Sequence, residues 1–323
     1  MKNRYSHEKI LNKNKDKLLP VIHVDYSVSE NGVSLWNMRT KKLDKDELNV
    51  LFKIDGQKSI QEYERIGVDC NKIWSLYKRG IILFKKKNMI SENKKRKILI
   101  LSPHLDDVAF SMSGYIAKYN TQYDFYILDF FGEQKYSLYE KFGIGEKQLL
   151  YEEKFFWEYM GIKEGKVLTF PDAALRKMYK GKKIIDIDTE ISDEEIIESE
   201  KKLYSEIKSK IYSTLKQTVF EEIFLPMGIG RHVDHVIVKK AGLEVINQFD
   251  VKGTFYIDMP YALLLDKSEL VNMKGQAFNV TDEIWIKENA LSIYKSQLTN
   301  KQKELIVQYG LLSGEYYEWF INI

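Results

Sequence analysis

The 323 residues carry 50 Lys and Arg against 47 Asp and Glu, with 44% apolar and 30% charged positions. That length holds a full enzyme domain and a smaller companion, and a formal charge of +3, with Lys and Glu interspersed, gives no case for nucleic-acid binding from the overall balance. The single cysteine, Cys70, excludes an intrachain disulfide and a cysteine zinc cage, and no apolar run approaches the ~20 residues that span a bilayer.

The chain begins MKNRYSHEKILNKNKDKLLP, which lacks the apolar core of a signal peptide, so a soluble cytoplasmic protein is expected. From Gly32, "GVSLWNM" alternates like a strand. "DKDELNVLFKI" has helical spacing, with Leu48, Leu51 and Phe52 on one face and Asp44 as cap. "DGQKSIQEYERIG" and "CNKIWSLYKRG" read as two short helices, each stopped at a glycine, and "IILFKKK" returns as a strand. Three helices flanked by short strands predict a small winged-helix-like α+β domain over residues 1–87. The pattern Trp36-Asn37, Phe52 to Gly56 and Leu76 to Leu83 loosely resembles the PqqD-like peptide-recognition domains of natural-product pathways, which implies a peptide or carrier partner. The polar stretch from Lys85 to Arg96, "KKKNMISENKKR", marks the seam, with a linker at 88–96.

Beyond it, apolar segments at Ile98–Leu101, Phe125–Phe130, Lys166–Phe170, Glu222–Met227 and Thr254–Met259 alternate with helical ones. This predicts an α/β domain over 97–323, Rossmann-like, with a largely parallel sheet and helices on both faces. The charged run "KGKKIIDIDTEISDEEIIES", within the 176–200 insertion, breaks that rhythm and reads as a solvated insertion or a flap. "ENALSIYKSQL" reads as an amphipathic packing helix, with Trp285 in the core.

Sites in open parallel sheets form beyond the carboxyl ends of the strands. "KILIL" ends at Leu101 and is followed by His104, Asp106 and Asp107; "EEIFLPM" ends at Met227 and is followed by His232, Asp234 and His235. Three of the five histidines fall in these two clusters; His7 and His23 have no such neighbours. Two His and one carboxylate form a facial set that leaves positions open for water and substrate. His104, Asp107 and His235 are the expected metal ligands, and Asp106 the free proton acceptor. The plainer alternatives are that Asp106 or Asp107 caps the helix starting near Val108, and that His232 and His235 are surface residues of a helix.

"SPHLDDVAFSMSG" with "GRHVDH" resembles the PIG-L/LmbE-like family of zinc-dependent N-deacetylases, and the likeness extends through "YEEKFFWEYMGI", "LTFPDAALRK" and "DEIWIKENALSIYKSQL" to about residue 300. Leu105 and Val108 replace the Pro and Glu of many relatives, and Ser113 the first Gly of a usual pair. The resemblance implies a zinc ion, or Fe2+ or Ni2+, on His104, Asp107 and His235, with Asp106 as general base. It further implies a protonated His232 stabilising the oxyanion and Asp234 orienting His232 and favouring its charge. Near the site it places Asp172, expected to accept hydrogen bonds from sugar hydroxyls or else to stabilise the turn after Pro171, and Arg176 as a second substrate contact. The implied reaction removes an N-acetyl group from an amino-sugar-containing small molecule or conjugate of specialised metabolism. Three rivals remain open: an acyl hydrolase of a peptide-type amide, a non-catalytic binding protein on the same fold, and a DNA-binding regulator using Lys78, Arg79, Lys85, Lys86 and Lys87.

Overall fold

The computed structural model describes residues 11, 14–36, 39–87, 94–134, 136–142, 144–176 and 191–323. His7, most of the 88–96 linker and most of the 176–200 insertion lie outside these residues.

In the N-terminal unit, β1 (Leu18–Ile22) pairs antiparallel with a later strand, while β2 (Tyr26–Ser29), β3 (Gly32–Leu35) and β4 (Arg39–Lys41) form a separate antiparallel meander. Three helices follow, Lys45–Lys53, Ile60–Arg65 and Cys70–Lys78. The first two start at full capping boxes, Asp44 with Glu47 and Ser59 with Glu62, so the sequence itself fixes where they begin. The first helix is rotated from the expected face: Glu47, Val50 and Leu51 are buried and Phe52 is 61% exposed. The reason is Glu47, which turns inward to accept from Arg79 and Ser75. β5 (Ile82–Lys86) then closes against β1.

This unit shares one continuous apolar core with the larger one, from Leu18 and Phe84 to Phe156 and Tyr294. Polar pins cross the boundary: Tyr159 donates to the Phe84 carbonyl at 2.7 Å, Lys85 Nζ to that of Glu158 at 2.8 Å, and His23 Nε2 faces that of Ser292 at 2.8 Å. Arg79 is paired with Glu47 and Lys87 with Glu62, so much of the basic cluster is engaged internally.

The larger unit is built on β6 (Arg96–Ser102), β7 (Tyr123–Asp129), β8 (Glu164–Val167), β9 (Glu222–Pro226), β10 (Lys252–Tyr256), β11 (Gln276–Asn279), β12 (Leu311–Leu312) and β13 (Glu315–Asn322). The sheet runs β11-β13-β10-β9-β6-β7-β8, with β12 attached to β13. Neighbours from β10 to β8 are parallel; β13 and β11 are antiparallel additions that the sequence reading did not contain. Along β6, Ile98 and Ile100 join the core on one face, Leu99 and Leu101 that on the other. The chain leaves β6 outward to β7 and β8, then returns to place β9 on the opposite side of β6. The order therefore reverses between β6 and β9, which is where such sheets bind ligands.

The helix after β6, Asp107–Tyr119, breaks at Met112 (φ −140°, ψ 19°). Glu318 on β13 accepts the amides of Gly114 and Tyr115 at 3.0 and 2.6 Å, and Lys287, ion-paired with Glu318, donates to the Phe110 carbonyl at 3.1 Å. A buried ion pair thus satisfies the groups around the break. Ser113, which stands where relatives have a Gly, donates to the Ala109 carbonyl at 2.7 Å. The helix Ile284–Ile293 is not amphipathic: Ile284 to Lys287, Asn289 to Leu291 and Ile293 are all buried, Trp285 among them, because the N-terminal unit covers the side that would otherwise meet water. Among the described residues, no helix is long and apolar enough to cross a membrane.

Candidate active site

β6 delivers His104 and Asp107 to the sheet edge, and β9 delivers His235 through a short turn and the first turn of the Val233–Ile246 helix. There the two distant segments meet. His104 Nδ1 lies 3.4 Å from Asp107 Oδ2, His235 Nε2 lies 3.3 Å from the same oxygen, and the two ring nitrogens are 3.3 Å apart. His104 Nε2 is 3.0 Å from Asp234 Oδ2 and His235 Nδ1 is 2.6 Å from Asp258 Oδ1. If each ring gives its proton to that carboxylate, both nitrogens facing Asp107 carry lone pairs, a tautomer assigned from the network. Three acceptors then point at one another with no hydrogen between them. Donors about 2.0–2.1 Å from a tetrahedral ion stand roughly 3.3–3.4 Å apart, so the set fits a divalent metal.

The electrostatics favour positive charge among these groups, carried by the rings' own protons until a metal ion displaces them. Burial disfavours a charged His104, but the hydrogen bonds and charges of Asp107 and Asp234 outweigh it and hold its pKa well above the usual value. Burial likewise opposes charge on Asp107, and the neighbouring His235 and His104 keep its carboxyl below the usual range. The pocket attracts a cation. Asp106 occupies the cap position of its helix yet makes no side-chain cap bond, so the capping alternative fails for it. Burial, reinforced by the charge of Asp107, pushes its carboxyl up to about 7. Asp107 instead accepts the backbone amide of His104 at 2.8 Å, which steadies it beside the two rings.

The family model described as PIG-L, GlcNAc-PI de-N-acetylase, matches residues 99–246, the span that contains both clusters. Residues 99–246 are a PIG-L family domain. A curated relative, the 2'-N-acetylparomamine deacetylase of Streptomyces fradiae, is 24% identical over 174 residues; the match spans 52% of this chain and 59% of that relative's length. Among solved structures, the zinc-inhibited form of teicoplanin deacetylase Orf2 is 17% identical with a TM-score of 0.56, covering 70% of this chain and 98% of that one. GalB, the 4-carboxy-2-hydroxymuconate hydratase from Pseudomonas putida KT2440, is 15% identical with a TM-score of 0.50, covering 71% and 96%. The PIG-L fold therefore carries more than one reaction, and the chemistry must be argued from the site.

Around the centre of the PIG-L domain, the structure redistributes the remaining expected roles. His232 is near, a ring nitrogen within 4.8 Å of those of His104 and His235. It is not held charged by Asp234. Its Nδ1 accepts the amide of Asp234 at 3.3 Å at the start of a helix. Burial, with the charges of His104 and His235 adding and Asp234 opposing, lowers its pKa to about 3. Asp234 orients His104, and its other oxygen lies 2.6 Å from Arg176 Nη2. Asp172 is buried, and its Oδ1 accepts the Leu175 amide at 3.1 Å, the turn-stabilising alternative. Arg176, expected at substrate, has every nitrogen engaged by protein: Glu200, the Pro171 carbonyl and Asp234.

Three further residues of the site lie outside the expected set. Asp258 follows β10 and accepts the amides of Gly228 and Ile229 at 2.7 and 3.0 Å while it holds His235. The Tyr261 ring lies 5.2 Å from that of His235 and 5.9 Å from that of His232. Asp129 ends β7 and is fully buried, and burial raises its pKa well above the usual value. For the two acids, an aspartate at or just past the end of β7 and of β10 was the available signal.

Proposed function

We propose that this chain is a metal-dependent N-deacetylase that hydrolyses the acetamide of an amino-sugar-containing small molecule or conjugate in specialised metabolism. The observation that carries the reading is the mutual 3.3–3.4 Å approach of His104 Nδ1, Asp107 Oδ2 and His235 Nε2 beside an uncapped Asp106. His104, Asp107 and His235 would hold the ion; the donor set suits zinc, and Fe2+ or Ni2+ as well. Such an ion supplies Lewis-acid polarisation of an acyl oxygen and activation of water.

The chain's own residues do the rest. Asp106 takes a proton from the attacking water and returns it to the departing nitrogen, so that water and amide become acetate and a primary amine. His232 donates from Nε2 to the acyl oxygen as negative charge develops there, its Nδ1 being occupied by a backbone amide. A neutral imidazole at a helix start performs such polarisation. Tyr261 forms an aromatic wall beside both histidines. Asp172 keeps one carboxylate oxygen for a sugar hydroxyl. The names of the paromamine and teicoplanin deacetylases support an amino-sugar substrate. The N-terminal unit would take the peptide or carrier part of a conjugate.

The test is metal analysis of the purified chain, with acetate release from acetylated aminoglycosides, glycopeptides, chitooligosaccharides and N-acetyl peptides. One divalent ion per chain and release from sugar acetamides, lost on chelation and restored by zinc, are expected. Release from peptides alone refutes the substrate class; a metal-free chain refutes the centre.

A further inference from the structure

Asp234 is fully buried and serves two masters: Oδ2 accepts from His104 Nε2 and from the Ala173 amide, both at 3.0 Å, while Oδ1 faces a cation. That cation is Arg176, whose side chain is only 9% exposed. Its three nitrogens fan out to three separate segments. Nη2 is 2.6 Å from Asp234 Oδ1, Nε is 3.1 Å from Glu200 Oε1, and Nη1 donates to the Pro171 carbonyl at 2.9 Å. The guanidinium carbon also sits 5.1 Å from the centre of the Phe131 ring, which stands 5.9 Å from that of His104.

We propose that Arg176 is a positioning residue for the metal centre, holding the Asp234 carboxylate against Nε2 of His104 so that Nδ1 stays presented to Asp107 and His235. The inference rests on reading that cluster as a metal site. The physical reason is the fork. A planar guanidinium donates to Glu200 and the Pro171 carbonyl while its Nη2 stays ion-paired with Asp234, and an ammonium on a flexible stem cannot hold all three. The ion pair at Oδ1 opposes rotation of the carboxylate about its own axis, and Oδ2 remains where the imidazole needs an acceptor. The ring's orientation and tautomer follow, because the partner of the outer nitrogen decides which nitrogen is left for an ion.

The experiment measures zinc affinity of the metal-stripped full chain by competition with a chromophoric chelator, with near-UV circular dichroism as the check on folding. Arg176→Met is expected to weaken zinc binding by about 10–100-fold, the usual cost of losing an outer partner of a metal-bound histidine. Arg176→Lys should restore part of that loss, a rescue that a space-filling role would not show. Glu200→Gln, which cuts the far anchor but leaves the Asp234 pair, should bind zinc like the parent chain. If Arg176→Met fails to fold, Arg176→Gln, which keeps a donor for Pro171 or Glu200, is judged by the same standard. A folded variant with parental zinc affinity overturns the proposal, and so does an equal loss in Glu200→Gln, which would make the segment's anchoring the cause. A parent chain that binds no zinc overturns the metal reading itself, and His235→Ala, expected to bind none, calibrates that outcome.

Discussion

Two buried histidine pockets in this molecule look alike in composition and differ in what faces the rings. At the boundary with the N-terminal unit, His23 is fully buried beside Asp25. Its Nδ1 accepts the Asp25 amide at 3.1 Å and its Nε2 faces the Ser292 carbonyl at 2.8 Å. One nitrogen meets a donor and the other an acceptor, so a neutral ring satisfies both, and burial, with Lys295 adding, holds its pKa well below normal. At the sheet edge, His104 and His235 each spend one nitrogen on a carboxylate and turn the other toward a third acceptor, Asp107. Burial and a neighbouring aspartate do not separate the two pockets. Acceptors facing acceptors do, because only a cation completes that arrangement.

The largest expected effect breaks the comparison if it fails. His235→Ala should reduce bound metal from about one ion per chain to near zero and abolish turnover. His23→Ala should keep both per folded molecule and cost about 2–4 kcal/mol of stability, since a cavity and two unpaired backbone groups are left behind. Metal analysis beside urea unfolding checks both, and a His23→Ala chain that folds but loses its ion would show that the pockets are not distinct. Next, Asp106→Asn should retain the ion and lower turnover at least ~100-fold, the scale of a missing general base. Unchanged turnover on a true substrate would move the proton transfer to another group.

This contrast also explains what was legible in the sequence. The strand ends at Leu101 and Met227 and the acid–histidine clusters after them are local patterns, and the parallel strands carry a clear apolar signal. They located β6, β9 and the six cluster residues. The partner of each cluster residue is not local. Asp234 belongs to His104 across 130 positions, not to His232 two residues before it, and Arg176 reaches Asp234 from another loop. His23 shows no partner pattern in the sequence because the partner of its Nε2 is a carbonyl, which any residue supplies. β13, with Glu318 in its middle, went unread because its inward acid breaks the apolar pattern of a strand, and that acid is there to serve the broken helix.

The Lys287–Glu318 clamp sharpens the comparison from the side of stability. It is a buried polar cluster whose groups are paired with one another, so its loss should act on folding. Lys287→Met leaves the Glu318 carboxylate buried beside two amides without its cation, and is expected to cost about 3–5 kcal/mol. Lys287→Met with Glu318→Gln should recover part of that, since the uncompensated charge is gone and an acceptor for Gly114 and Tyr115 remains. A double variant as unstable as the single one would show that Lys287 matters through the Phe110 carbonyl rather than through charge.

The smallest effect lies farthest from the site. Burial alone would raise the Glu47 carboxyl, but hydrogen bonds from Arg79, Ser75 and the Asp44 amide outweigh it and hold its pKa below the ordinary value. A group depressed in the folded state stabilises above its unfolded pKa of about 4.3 and loses that contribution as pH falls through the lower folded value. Glu47→Gln should therefore cost about 1–2 kcal/mol at pH 7, and the gap to the parent chain should narrow as pH drops from about 5 to 3. Urea unfolding at a series of pH values reads this directly. A gap that stays constant would assign the role of Glu47 to packing and capping, and would place the N-terminal unit's buried acid in the same class as an apolar core residue.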